Sequence, residues 1–562
     1  MRIAIVGSGV AGLAATWALN EHSDHLVNLY ESADYVGGHA HTVEFKREGK
    51  EPCDVDSGFI VFNPPTYPNF LAFLKHKGVK FIPTTMTFAV TRDLGDFEWA
   101  GEGLAGVFCQ ARNLFNPRMY RMLLDVFRFN LFGLDLVTDA SAQGKPADPT
   151  SGGSHPTSQK TEQTKKMDVK EAAHSEISIG EYLEKEGYGE GFKEDYLLVR
   201  LFTSGFMPAS NWSTPADKCA LDFPARTLVR FFHNHHLMQV EGRPKWLTIK
   251  GGSKHYVNAI IDKLPAENLH LNTKIVGITP HETHVTLTED NGTRHEYDYV
   301  ILATHSDTAL EMLRNGGGAS KEEEEILGKF EWNKNEAVVH WDEKLMPIRR
   351  KAWSAWNVLT SSKNPSKAPT TAASDVNTVS LTYNMNALQH LSEKKHGPVL
   401  VTLNPPFEVD KDKEVGRYKY EHPIYSLASV KAQSQLPSIQ NVRRVTFAGA
   451  WTNYGFHEDG FASGLKIAAE IFGATPPFPI RPASRDIQKE PIARAVVVRV
   501  EAIRQWIESS GLWAMLVWLV VLFFQMLEQV LSAGGMDKWA HEVKEVRGFW
   551  QEAGVPAKRK TQ

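Results

Sequence analysis

Along the first thirty residues the apolar positions change rhythm twice. Arg2–Val6 is a short apolar run, Gly7–Gly12 breaks it with small residues, and Leu13–Asn20 is rich in Ala and Leu. A short apolar run closed by glycines predicts a buried strand, and the segment after it predicts a helix. Leu26–Tyr30 is β-branched and aromatic and predicts a second strand, which completes a β-α-β unit. The same rhythm returns near the other end. Val445–Phe447 predicts a strand, Ala448-Gly449-Ala450 and Gly455–Gly460 predict turns, and Phe461–Phe472 predicts a helix.

Between these stretches the pattern is less regular, and two segments lose it. From 138 to 175 the large apolar residues are Met167 and Val169 alone, which cannot offset the entropy of ordering the chain, so this reads as a disordered insertion. Residues 361–378 have the same Ser, Pro, Ala and Thr character and read as a polar surface loop. The predicted class is α/β with discontinuous domains. Nucleotide-binding segments fall at 1–60, 241–305 and 440–474. Residues 61–240 and 306–439 make a second, substrate-facing domain of mixed sheet and helices, and 475–562 form a tail.

The tail differs from everything before it. Between Glu508 and Glu528 lie 19 uncharged residues, 509–527, which as a helix reach roughly 28 Å against a hydrocarbon thickness of about 30 Å. This predicts a membrane-associating helix that either spans or lies in one leaflet.

The composition narrows the class further. At 562 residues the chain holds three to four domain-sized units, with 42% hydrophobic and 23% charged residues. Lys plus Arg is 62 and Asp plus Glu is 66, which argues against a nucleic-acid partner held through phosphates. Three cysteines, Cys53, Cys109 and Cys219, form no CxxC pair, so neither a disulfide framework nor a zinc site is expected, and no metal site is assigned. Met1-Arg2 runs straight into Ile3–Val6 without a signal-peptide pattern, which predicts a cytosol-facing nucleotide domain.

Gly7-Ser8-Gly9-Val10-Ala11-Gly12 fits G-x-G-x-x-G between strand and helix, and Glu31 follows at the end of the second strand. In such a turn the first glycine permits the bend, the second lets the backbone approach a pyrophosphate, and the third lets helix and strand pack closely. The helix N-terminus supplies free N–H donors, and the acidic residue accepts from a ribose hydroxyl. An adenine dinucleotide is therefore predicted, with Gly7, Ser8, Gly9, Ala11, Gly12 and Glu31 about it. A second glycine pair, Gly37-Gly38, with His39 beside it, and the distant Gly449-Ala450 and His457-Glu458-Asp459-Gly460 suggest a long ligand gripped from both ends. His457 is the best polar candidate near the redox-active ring. His340 and Tyr383 are candidates for orienting or deprotonating a substrate, and Trp353 and Trp356 for an apolar wall.

Several motifs occur in order up to about residue 474: Phe231-Phe232-His233-Asn234-His235, Arg243-Pro244-Lys245-Trp246 with Gly251-Gly252-Ser253, Ala303–Asp307, Leu345-Met346-Pro347, Ala352–Asn357, Thr382–Asn386, His422-Pro423 and Tyr454–Gly460. On these the chain resembles the flavoprotein group containing amine oxidases, protoporphyrinogen oxidases and phytoene desaturases. It most resembles the NAD/FAD-binding proteins found beside, or fused to, cyclopropane-fatty-acyl-phospholipid synthases. The resemblance implies a Rossmann-like FAD-binding domain built from the three separated segments, non-covalent FAD, and a partner enzyme that modifies acyl chains. It implies Val276 as a backbone contact to adenine, and Gly449, Ala450, Glu458, Asp459 and Gly460 as neighbours of the ribityl chain and flavin. His39 stands where the amine-oxidase pattern usually has arginine. The lysine that usually holds a water at the flavin is missing from its strand, where Lys334 falls early and Glu336 takes the place. Three functions follow as expectations: a membrane-associated FAD oxidoreductase acting on a lipid or fatty acyl chain, an amine oxidase releasing aldehyde and peroxide, or a flavin-bound accessory protein.

Overall fold

A computed structural model describes residues 1–137, 177–199, 221, 223–234, 236–238, 244–362, 376–483 and 491–554. The expected insertion at 138–175 lies outside them. A five-stranded parallel sheet has the order Val445–Phe447, Tyr299–Leu302, Arg2–Val6, Leu26–Tyr30 and Leu269–His270. Ile5 lies opposite both Ile301 and Leu29. Ile3, Ile5, Leu29 and Ile301 are fully buried, as expected for parallel strands covered on both faces.

The helix Val10–His22 covers one face, and every residue from Ala11 to Leu19 is buried. Its alanines are needed because a second helix, His457–Lys466, crosses its back. A Cβ at Gly464 would sit 2.1 Å from the Ala11 carbonyl oxygen, and one at Gly460 would sit 2.6 Å from Val10 Cγ1. Over the other face, strands Ile275–Pro280, Val285–Glu289 and Arg294–Tyr297 form an antiparallel sheet. With the helix Ser306–Asn315 they enclose a core of Ala4, Val6, Ile278, Leu287, Leu310 and Leu313.

The second layer is a seven-stranded mixed sheet in the order Glu414–Ile424, Glu331–His340, Leu400–Leu403, Val376–Asn384, Trp356–Ser362, Phe88–Arg92 and Phe97–Ala100. Helices Pro117–Phe132, Ile179–Lys185 and Ala225–Asn234 share one core with its Trp99, Val358 and Leu381. Strands Trp356–Ser362 and Val376–Asn384 pair antiparallel as far as Ser362 and Val376. Both ends of the expected loop at 361–378 therefore belong to a hairpin, and its middle lies outside the described residues.

The tail holds three helices among the described residues, and the expected apolar one is the second. Pro491–Ser509 precedes Leu512–Ala533, and Asp537–Ala553 folds back along the latter. The apolar helix runs past Glu528 because Arg547 of the returning helix binds that carboxylate at 3.0 Å. Trp513 Nε1 donates to the Ala553 carbonyl at 3.0 Å and closes the hairpin. Among the described residues Leu512–Ala533 is the one helix long and apolar enough to cross a membrane.

Candidate active site

A cavity of about 590 Å³ runs between the two sheets. At one end Gly7, Gly9, Glu31, Thr273, Lys274 and Ile275 line it; at the other Met86, Leu237, Trp246, Trp356, Tyr383 and Leu403 do.

The nucleotide end is built from backbone. Gly7 has φ +101°, and a Cβ there would lie 2.8 Å from the Ala303 carbonyl oxygen. A Cβ on Gly12 would lie 1.9 Å from the Gly7 carbonyl oxygen, whereas one on Gly9 would meet nothing within 4 Å. Gly7 and Gly12 thus close the turn, and Gly9 leaves bare backbone facing the cavity ahead of the helix N-terminus. Gly37-Gly38 lies against this turn: the Gly37 N–H donates to the Ser8 carbonyl at 3.1 Å, and a Gly38 Cβ would be 3.2 Å from Gly9 Cα.

Ser8 itself is buried and does not face the cavity. Its N–H and hydroxyl donate to Glu31 Oε2 at 2.9 and 2.6 Å, and Glu31 Oε1 accepts from the Ala33 N–H at 2.9 Å. Ser8 therefore positions the carboxylate. Val276 is also off the wall. It sits where the pairing of Ile275–Pro280 with Val285–Glu289 slips between Ile275 and Gly277, and its carbonyl accepts from Asn315 Nδ2 at 3.2 Å.

At the far end the helix starts at His457, four residues before the expected Phe461, so His457–Gly460 form its first turn. Asp459 reaches back to the Phe456 N–H at 2.9 Å and accepts from Asn453 Nδ2 at 2.7 Å. Glu458 accepts from the N–H groups of Asn69 and Phe70, both at 2.9 Å, and from Asn69 Nδ2 at 2.7 Å. It caps the helix Pro68–His76, and burial pushes its pKa up to about 8. Neither carboxylate, nor Gly460, lines the cavity; Gly449, Ala450 and His457 do.

Four histidines, His39, His305, His422 and His457, line the cavity. His457 stacks on Phe59 at 3.7 Å between centroids, and its Nε2 lies 2.8 Å from the Tyr256 hydroxyl. Burial lowers its pKa to about 3. His422 Nδ1 accepts from Asn335 Nδ2 at 2.8 Å, and Asn335 Oδ1 in turn accepts from Asn333 Nδ2 and Asn404 Nδ2 at 3.1 and 2.8 Å. That chain leaves the His422 proton on Nε2, and burial lowers the ring's pKa to about 4. His39 is held well below the usual histidine value by burial and by the neighbouring His422. His305 stacks on Trp332 at 3.8 Å and lies 3.3 Å from Glu421. Apart from the Gly455-to-His457 stretch, these groups are drawn from strands and loops that are distant in sequence. Tyr256, His305, Tyr420 and His422 carry no local signal of a chemical role.

His340 is a correction to the sequence reading. Its Nδ1 accepts the Asp342 N–H at 2.9 Å, and its Nε2 lies 2.7 Å from Thr402 Oγ1. The ring is fully buried, lies off the cavity, and is pulled down to about 4 by burial. Trp353 turns away likewise, donating to the Pro347 carbonyl at 2.8 Å beneath Arg350, while Trp356 and Tyr383 form the wall. Glu336 is bound by Arg417 at 2.7 Å, and Lys334 is exposed. Among the described residues Lys274 is the one lysine on the wall, at the nucleotide end.

These groups fit FAD. Bare backbone at Gly9, the poised Glu31 carboxylate, and two buried ring nitrogens without a partner among the described residues, His39 Nε2 and Trp356 Nε1, all belong to residues that line one elongated space.

The comparisons agree. No curated protein matches the chain. A CLA-producing fatty acid isomerase from P. acnes is similar in structure, with TM-score 0.54, 17% identity, and coverage of 84% of this chain and 98% of that one. Putrescine oxidase bound to putrescine gives TM-score 0.52, 16% identity and coverage of 84% and 99%. Cyclohexylamine oxidase from Brevibacterium oxydans IH-35A gives TM-score 0.52, 13% identity and coverage of 84% and 98%. The family described as flavin containing amine oxidoreductase matches residues 10–376. The chain therefore belongs to the flavin-containing amine oxidoreductase family and is an FAD-dependent oxidoreductase.

Proposed function

We propose that this flavoenzyme works at a membrane and oxidises, desaturates or isomerises an aliphatic lipid or fatty acyl chain. The observation that carries the reading is the far wall of the cavity: Met86, Leu237, Trp246, Trp356, Tyr383 and Leu403 present aliphatic and aromatic surface and no charge. Such a wall binds an alkyl chain by excluding water and carries no carboxylate to pair with an ammonium group. A protein of this fold is a CLA-producing fatty acid isomerase, and the apolar tail helix would keep the enzyme beside a lipid supply.

When bound, FAD supplies the acceptor for a hydride or electron pair. The chain's own residues do the rest. Trp356 and Tyr383 meet edge to face at 4.8 Å and confine the substrate. The neutral His422 donates its Nε2–H, and neutral His457 adds a polar edge without adding charge. Burial keeps the Tyr383 hydroxyl protonated, as a donor.

Amine oxidation is the second reading, favoured by Glu421, a carboxylate on the wall that could pair with an ammonium. The two separate in one experiment. Purified holoenzyme is mixed without oxygen with unsaturated fatty acids, acyl phospholipids or primary amines, while flavin absorbance and product double bonds are followed. Flavin bleaching or a moved double bond with acyl substrates is expected. Bleaching with amines alone would overturn the lipid assignment.

A further inference from the structure

We propose that the chain docks onto a lipid bilayer lying in the plane of one leaflet, through the outer face of Leu512–Ala533, and does not span it. The inference rests on the membrane part of the reading above, not on the choice of substrate.

The helix has two different faces. Leu512, Met515, Leu516, Leu519, Phe523, Met526 and Val530, spaced three and four apart, are exposed, and Trp518 stands beside them at 62% exposure. Trp513, Val517, Phe524 and Glu528 turn the other way. Val517 is buried, Phe524 meets Phe115 edge to face at 6.3 Å, and Trp513 and Glu528 are bonded to Asp537–Ala553.

That returning helix decides between crossing the bilayer and lying on it. It carries Asp537, Lys538, Glu542, Lys544, Glu545, Arg547 and Glu552. It lies along the apolar helix from Glu528 to Trp513, so a span by one would carry the charges of the other into hydrocarbon, which is strongly disfavoured. The three tail helices are also tied to the catalytic body, the hairpin through Glu545 and the preceding helix through Arg494 and Glu501. Arg112 lies 3.8 Å from Glu545, Arg121 lies 3.5 Å from Glu501 of the preceding helix, and Arg494 pairs with Asp135. An in-plane arrangement keeps these polar contacts and buries the exposed row in acyl chains.

The length of the apolar helix, Leu512–Ala533 at 22 residues, and its aromatic neighbours favour lipid as the occupant over a second protein. Exposed Trp506, Trp518 and Trp539 sit on the three tail helices, the residue type that prefers the headgroup boundary.

The test uses full-length holoenzyme added to preformed sealed vesicles of phosphatidylcholine, with and without phosphatidylglycerol. Flotation with both kinds of vesicle is expected. Leu519→Glu combined with Phe523→Glu should cut it at least tenfold with flavin content unchanged, since both side chains are exposed. Ser510→Cys and Ser532→Cys mark the two ends of the helix for a membrane-impermeant maleimide, scored against the parent protein. Labelling of both ends on bound protein supports the in-plane arrangement. Protection of one end would mean a span and would overturn the proposal, as would failure to float, whether as a monomer or as a dimer burying the same face. Loss of vesicle binding with substrate turnover intact counts against this inference alone. Vesicle binding without acyl turnover counts against the substrate reading alone.

Discussion

The two ends of one cavity are made in opposite ways. At the nucleotide end the wall is mostly main chain: Gly7, Gly9, Gly37 and Gly38 come from two turns in the first forty residues, and one carboxylate, Glu31, is set by a neighbouring serine. At the substrate end the wall is side chains, with Met86, Leu237, Trp246, Trp356, Tyr383 and Leu403 arriving from widely separated segments. A backbone that approaches a ligand needs glycines at fixed spacing and so leaves a signature. A wall of side chains needs only volume and polarity, which many residues supply.

The largest expected effect tests the backbone end. Gly12→Val would drive a side chain into the Gly7 carbonyl and should cost more than about 5 kcal/mol, seen as insoluble or colourless protein. Gly9→Ala sharpens the point. Its methyl has open space in the protein alone, so the thermal midpoint without flavin should hold while the Kd for FAD rises tenfold or more. Unchanged affinity would mean that the pyrophosphate lies elsewhere.

Next in size is Glu458→Ala, which strands the N–H groups of Asn69 and Phe70. A stability loss of about 3 kcal/mol in urea titration is expected, with flavin affinity near that of the parent, because the carboxylate caps a helix.

His340 gives a pH test. The native ring stays neutral down to about 4, while the unfolded ring takes its proton near 6.5. Stability from this group is therefore full above 6.5 and falls as the pH drops toward 4. Against His340→Gln the parent should lose about 2 kcal/mol between pH 7 and pH 5, and parallel pH curves for the two would refute the assignment. The smallest effect belongs to the side-chain wall. Trp356→Phe should lower kcat/KM for the acyl substrate about tenfold, close to 1.4 kcal/mol.

Some of this was legible beforehand. The α/β class follows from apolar runs alternating with helical segments, and the nucleotide turn from its glycines. The late motif was visible but its geometry was not. Glu458, Asp459 and Gly460 stand beside His457 in sequence, yet a helix sends successive residues in different directions. One caps Pro68–His76, one bonds back to Phe456, and Gly460 packs on Val10, which leaves His457 on the cavity. His340 misled because a buried histidine satisfied by Asp342 and Thr402 looks the same in sequence as one aimed at a substrate.

By itself, then, the sequence determined what depends on neighbours along the chain: the strand, turn and helix around Gly7–Gly12, the acidic residue at the end of the second strand, and an apolar tail segment. Tertiary structure alone decided that His39, His305, His422 and His457 share one cavity, that three asparagines set the proton of His422, and that a charged helix folds back along the tail helix. Those outcomes depend on contacts between residues tens to hundreds of positions apart, and a contact of that kind constrains each residue's size and polarity too loosely to mark it in the local pattern.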